Sequence, residues 1–266
     1  MRTALTIAGS DSGGGAGIQA DLKTFAAAGV YGTCAITAVT AQNTLGVTAW
    51  EPMSTELVIA QIEAVAGDLP PDAVKTGMLA NTAIVEAVAA AIGGLDLPNL
   101  VVDPVMIAKG GDRLLLQEDA VSAIKAHLLK LAEVVTPNIP EAEALSGSAI
   151  RTFADMRDAA RRIHALGPRV VVVKGGHIGA DVSGDIVIDV VCTPQQEFEL
   201  RGPRVGTRHT HGTGCTFASA TAAQLALGRP VDQAVRWARE YLAGAIRHAP
   251  GLGAGHGPLN HFWRLY

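Results

Sequence analysis

One pattern constrains this chain more than any other. Short apolar runs recur along it, each followed by a glycine or polar cluster and then, in most repeats, by a helix-forming stretch. The first run, Ala4 to Ala8, leads into the loop Gly9 to Gly17 and a helical stretch from Ile18 to Ala28. Thr33 to Val39, Ala73 to Thr76, Leu100 to Asp103, Val134 to Thr136 and Val170 to Lys174 read as further strands. Helical stretches lie between most of them: Thr55 to Ala66 behind the N-cap Ser54, Thr82 to Ile92, Glu118 to Leu131, Glu141 to Leu145 and Phe153 to Leu166. Strands that alternate with helices imply an α/β chain with a mostly parallel central sheet and helices on both faces. The four valines of Val170 to Val173 have no polar alternation, as expected of a strand buried on both sides. Val47 to Trp50 reads as a further short strand, and Asp185 to Val191 with Glu197 to Leu200 as an antiparallel pair. Thr216 to Leu227 and Val231 to Ile246 close the chain as helices. No linker interrupts the pattern, so residues 1–266 read as one domain.

Composition agrees. Hydrophobic residues make up 48% and charged residues 17%, enough for a large core. A net charge of −4 argues against a nucleic-acid or membrane-surface partner, and no apolar run reaches the length of a bilayer span. The N-terminus reads as a first strand and not as a signal peptide. Cys34, Cys192 and Cys215 form no disulfide framework, which fits a reduced cytoplasmic compartment.

In a sheet of this kind ligands bind beyond the carboxyl ends of the strands. The clusters that follow the strands gather there: Gly9–Gly17, Gln42-Asn43, Lys75-Thr76-Gly77, Asp103-Pro104, Thr136-Pro137-Asn138 and Lys174-Gly175-Gly176-His177. The stretch from Thr207 to Thr216 adds a turn, Gly212-Thr213-Gly214, at a helix start. Such a turn suits phosphate, and the helix field there favours a Cys215 thiolate. A capped helix that contains a cysteine is the plainer reading. Asn138 and Glu141 are oxygen donors that suit Mg²⁺, but they also fit a helix cap, which the residues alone favour. Asp103 could bind a metal or make a turn, and Lys174 stands where it could meet a nucleotide phosphate. His211 could equally be a hydrogen-bonded loop histidine.

Other chemistries fit less well. Gly15-Ala16-Gly17-Ile18-Gln19-Ala20 has a loose dinucleotide form, but residues 33–43 contain no acid to hold a ribose. No stretch matches a P-loop, and Gly9–Gly13 misses the spacing of a nucleophile elbow. His209, His211 and Cys215 lack a C-x-x-C partner for zinc.

Taken in order, these motifs resemble the hydroxymethylpyrimidine/phosphomethylpyrimidine kinases of thiamine biosynthesis. The resemblance rests on Gly9 to Asp21, Gln42-Asn43-Thr44, Lys75 to Leu79, Asp103 to Met106, Thr136 to Ala142, Val173 to His177, His211 to Thr216 and Gly255 to Pro258. It implies a three-layer α/β/α ribokinase-like fold and a cytoplasmic homodimer. ATP with Mg²⁺ would phosphorylate 4-amino-5-hydroxymethyl-2-methylpyrimidine and then its monophosphate. By the same resemblance Gln42 would bond the aminopyrimidine edge, and Gly9, Ala16, Asp21, Met78 and Val105 would line its pocket. Asn138 and Glu141 would be the metal-linked motif, beside the strand-end candidate Asp103, and Lys174 would reach the nucleotide, near Thr210 and His211. Gly212, Thr213 and Gly214 would form the anion hole, with Cys215 in the position of a catalytic base. His209 stands where the pattern leads one to expect Asn. Pyridoxal kinase is the close alternative. A non-catalytic sensor of thiamine precursors is the contrasting one, and the intact anion hole and metal motif argue against it.

Overall fold

The computed structural model describes residues 1–106, 118–178 and 184–265. Its described strands form one nine-stranded sheet in the order β3-β2-β1-β4-β5-β6-β7-β8-β9. These are β1 Thr3–Asp11, β2 Tyr31–Asn43, β3 Gly46–Pro52, β4 Ala73–Thr76, β5 Leu100–Val102, β6 Val134–Val135, β7 Val170–Val173, β8 Ile186–Cys192 and β9 Glu197–Pro203. The strands from β2 to β7 pair in parallel apart from the β2–β3 hairpin; β7–β8 and β8–β9 are antiparallel.

Alternation explains why the strands look uniformly apolar. Val170 and Val172 enter one core, while Val171 and Val173 enter the other. Helices α1 (Gly17–Ala27), α7 (Thr213–Ala226) and α8 (Val231–Arg247) cover the first core. The other is covered by α2 (Thr55–Asp68), α3 (Thr82–Gly94), α4 (Glu118–Ala123), α5 (Ile139–Ser146) and α6 (Phe153–His164). Three layers result, as expected.

Some boundaries differ from the expectation. β2 continues through Gln42 and Asn43 because it runs past its last β1 partner, Thr40, into a hairpin with β3, closed at Asn43 and Gly46. The helical stretch from Glu118 to Leu131 changes pitch: a π turn spans Ile124–Leu128 and a 3₁₀ turn Leu129–Leu131. Ser54 caps α2 by accepting from Leu57 N, as its position suggested.

β1 is the strand from which the chain turns both ways. It goes outward to β2 and β3, then returns to place β4 on the other side. The crevice at this switch point, above the ends of β1 and β4, is where an open α/β sheet holds its ligand.

Candidate active site

A cavity of about 560 Å³ opens at that switch point, a size that suits a small ligand. Every site residue named from the sequence lines it, except Asp21. One end is built by Gly9, Ala16, Gln42, Met78 and Val105. Gly9 is tight against Met78: an added Cβ would sit 2.5 Å from the methionine methyl.

Asp11, at the end of β1, shapes the glycine loop. Its Oδ1 accepts from Gly13 N at 2.8 Å. Its Oδ2 accepts from Gly15 N at 3.0 Å and Ala16 N at 2.8 Å. The same oxygen lies 2.9 Å from His211 Nε2. Burial alone would raise the pKa of this carboxyl, but His211 and the backbone N–H groups outweigh it and hold it below the usual carboxylate range. His211, expected at the nucleotide, is therefore tied to the glycine loop, and it also approaches Gln42.

The middle of the cavity is the anion site. Gly212 takes a left-handed conformation (φ 82°) to start α7, and no side chain caps the helix. A Cβ there would strike the Gly15 carbonyl, so glycine is required by both the backbone and the close loop. An uncapped helix N-terminus keeps its N–H groups for an anion. A Cβ on Gly214 would lie 3.3 Å from Asp103 Oδ2 and 3.4 Å from Lys174 Nζ, which places that acid and that base beside the turn. Lys174 Nζ donates to Asp103 Oδ1 at 3.0 Å. Burial works to lower the pKa of Lys174, but Asp103 and Glu141 raise it overall, so the ammonium stays charged.

Asn138 and Glu141 form a reciprocal capping box on α5. Glu141 N donates to Asn138 Oδ1 at 3.0 Å, and Asn138 N donates to Glu141 Oε2 at 2.8 Å. Both residues also line the cavity. Capping and facing the ligand are thus not exclusive here. Burial pushes the Glu141 carboxyl up to about 7, with Lys174 opposing and Asp103 adding to the rise. No group of three His, Cys, Asp or Glu side chains among the described residues is arranged to hold a metal by itself.

Two expectations are corrected. Asp21 does not line the cavity but is fully buried beneath it. Its Oδ2 accepts from Lys75 Nζ at 2.7 Å and Thr6 Oγ1 at 2.6 Å, and its Oδ1 accepts from Ser219. One carboxylate thereby joins β1, α1, β4 and α7. Burial would lower the pKa of Lys75, yet Asp21 holds it above the ordinary lysine range. Cys215 lines the cavity but is not poised as a thiolate: burial pushes its thiol up to about 11, against the pull of Lys75 and an N–H from Gly17. Desolvation overcomes the helix field.

The cavity continues into an arm that the sequence reading missed. Val187, Pro203, Val205, Leu242 and Ile246 make its apolar wall, joined by Asp189 and Arg239. Arg239 Nε lies 3.0 Å from Asp189 Oδ2, and Asp189 Oδ1 accepts from Gly175 N at 2.9 Å. Nothing local marks Arg239, one of several arginines on amphipathic helices. Asp11 did carry a signal, an acid between a strand and a run of glycines.

Comparison with known proteins agrees with this geometry. The family model described as phosphomethylpyrimidine kinase matches residues 11–260. The hydroxymethylpyrimidine/phosphomethylpyrimidine kinase of Haemophilus influenzae is 50% identical over 263 residues, 98% of this chain and 97% of that protein. Among solved structures, a Bacillus subtilis pyridoxal kinase in complex with ADP superimposes with a TM-score of 0.91 at 39% identity over the whole of both chains. A phosphomethylpyrimidine kinase from Clostridium difficile gives 0.81 at 42% identity, covering 92% of this chain and 100% of that one. With a ribokinase-like fold and a match over nearly its whole length, the chain belongs to the phosphomethylpyrimidine kinase family.

Proposed function

We propose that this kinase transfers the terminal phosphoryl group of ATP to the hydroxymethyl group of 4-amino-5-hydroxymethyl-2-methylpyrimidine, and then to the resulting monophosphate. The observation that carries the reading is one continuous cavity. It has an amide, Gln42, at one end, the Gly212-Thr213-Gly214 turn at its centre, and Lys174 beside that turn. The names of the relatives supply the substrate class, and the ADP complex of the pyridoxal kinase supports a nucleotide in the remaining arm. The single sheet formed by the described strands supports one kinase domain over residues 1–266.

Phosphoryl transfer asks mainly for positioning and for charge stabilisation. The N-terminus of α7 and the charged Lys174 supply both at the transferring group. In the first step the acceptor is an alcohol, which must lose a proton. Cys215, beside Gly214 on the cavity wall, is placed to receive it only as the thiolate, so the thiol must first give up its own proton before it can serve as the base. In the second step the acceptor is a phosphate monoester, largely ionised at neutral pH because its second pKa is about 6, so it needs little help from a base. Mg²⁺ fits the donor set, since it takes one or two carboxylates together with water and substrate phosphates. Asp103, Glu141 and Asn138 would hold it, and when bound it neutralises charge on the phosphate oxygens.

We further propose a cytoplasmic homodimer. Among the described residues no helix is long and apolar enough to cross a membrane. The exposed Val39 and Leu45 on the β2–β3 hairpin offer an apolar contact surface, and sedimentation at several protein concentrations would test it.

Pyridoxal is the second acceptor to consider, because the pyridoxal kinase superimposes on this chain more closely than the Clostridium difficile enzyme does. The decisive experiment incubates the protein with ATP, Mg²⁺ and either the hydroxymethylpyrimidine or pyridoxal, and follows the products by mass spectrometry. Successive mono- and diphosphate formation on the pyrimidine is expected. Phosphorylation of pyridoxal alone would overturn the first reading, and no product on either would overturn both.

A further inference from the structure

Asp11, His211, Gln42 and Thr40 share one hydrogen-bond network at the pyrimidine end of the cavity. An ionised carboxylate only accepts, so the 2.9 Å bond between Asp11 and His211 needs the hydrogen on His211 Nε2. A ring nitrogen that carries hydrogen has no lone pair for another donor. Yet Gln42 Nε2 lies 3.3 Å from that same nitrogen, which sets donor against donor. On its other side Gln42 Oε1 lies 3.1 Å from Thr40 Oγ1. The one hydroxyl hydrogen of Thr40 has two acceptors within reach, Gln42 Oε1 and the Ser10 carbonyl 3.0 Å away, and can serve only one of them. When that hydrogen goes to Ser10, the Gln42 oxygen is left facing an acceptor. A half-turn of the amide removes the donor–donor clash, with the one His211 Nε2–H shared between Asp11 and Gln42, and leaves the Thr40 hydrogen free for Ser10. Its oxygen accepts from His211 Nε2–H, and its nitrogen donates to Thr40 Oγ1; partners of this kind are what distinguish the two ends of an amide.

We infer that the Asp11–His211 pair is a specificity device, which locks the Gln42 amide in one of its two settings so that the site selects a 4-aminopyrimidine over a 4-oxopyrimidine. The inference rests on the reading of Gln42 as the residue that faces the pyrimidine. In either setting the amide offers one donor and one acceptor to a ligand, but in opposite order. A 4-aminopyrimidine presents a ring-nitrogen acceptor beside an amino donor. Its 4-oxo counterpart presents an N–H donor beside a carbonyl acceptor, the reverse order. A free amide turns to match either ring. A locked one matches a single ring and leaves the other with two polar groups unpaired. Asp11 and His211 are positioning residues here, separated by 200 positions in the chain and acting through Gln42.

The test compares kcat/KM for the 4-amino substrate and its 4-oxo analogue in the parent, His211→Ala, His211→Gln and Gln42→Ala. His211→Ala should lower the amino-to-oxo preference by roughly 10–100-fold, the effect of pairing groups that the lock leaves unpaired. His211→Gln keeps an N–H for both neighbours and should retain most of the preference. If His211→Ala slows both substrates in parallel with the ratio unchanged, the residue is merely structural and the lock is refuted. Gln42→Ala separates the two ideas. A parental ratio in that variant would remove the Gln42 reading, and the lock with it. A collapsed ratio there, beside an unchanged one in His211→Ala, would remove the lock alone. A second readout needs no variant: two-bond ¹⁵N correlations on the folded parent should show hydrogen on His211 Nε2, and a bare Nε2 would overturn the inference.

Discussion

The Asp21–Lys75 pair allows the sharpest test of how this fold is held together. Both side chains are fully buried and 2.7 Å apart, and the carboxylate also accepts from Thr6 and Ser219. Asp21→Asn keeps the shape but leaves the lysine charge without its counter-ion. Removing one partner of a buried pair costs about 3–5 kcal/mol. That is a large share of the roughly 5–15 kcal/mol by which a domain is stable. At roughly 2–4 °C per kcal/mol for a chain near this size, the melting temperature should fall by roughly 6–20 °C. The double variant Asp21→Leu with Lys75→Met removes both charges and should recover much of the loss, since an apolar replacement for a buried pair is often neutral. Thermal and urea unfolding, each followed by two probes, give the comparison. Below its melting point Asp21→Asn should bind the pyrimidine with little change in KM. A melting temperature equal to the parent's together with a large rise in KM would return Asp21 to the pocket wall and refute the reasoning. A double variant as unstable as the sum of the two single ones would refute the account of the pair.

Four further outcomes can be checked. Gln42→Ala leaves polar substrate atoms unpaired at about 1–3 kcal/mol each, so KM for the pyrimidine should rise clearly in steady-state assays; an unchanged KM removes Gln42 from recognition. With its thiol near 11, Cys215 should be alkylated about tenfold faster for each pH unit from 7 to 10, and a plateau by pH 9 would show a lower pKa; in single-turnover assays Cys215→Ala should slow the first phosphorylation more than the second, equal losses excluding proton transfer. Glu141→Gln can keep the capping box, so its melting temperature should hold while the Mg²⁺ needed for half-maximal rate increases; unchanged magnesium dependence would leave Glu141 as a cap alone. Burial lowers the pKa of His261 to about 4, so the unfolded chain binds the extra proton between pH 6.5 and 4; stability should decline as pH falls through that window, by up to about 1.4 kcal/mol per unit, and His261→Asn should flatten the urea-denaturation profile there, a slope equal to the parent's counting against the assignment.

What could be read in the residues alone was local or periodic. Val170 to Val173 announced a strand buried on both faces because alternate side chains of a strand serve opposite cores. Ser54 and Asn138 announced helix starts because a cap reaches only two or three residues along the chain. The rim of polar clusters followed from strand direction, and the family resemblance rested on the same clusters. Tertiary packing decided the rest. Asp21 stood in a signature read as pocket lining, but its partners Lys75 and Ser219 lie 54 and 198 residues away, and only their convergence shows that it is buried. Arg239 meets Asp189 in the apolar arm of the cavity with no local mark on either residue. Cys215 sits in the first turn of a helix, whose field favours a thiolate, and the sequence shows that field but not the desolvating surroundings of the half-buried thiol. Desolvation and distant ion pairs depend on what surrounds a group in three dimensions, and this is why the thiol stays protonated and His211 turns toward Asp11 and Gln42.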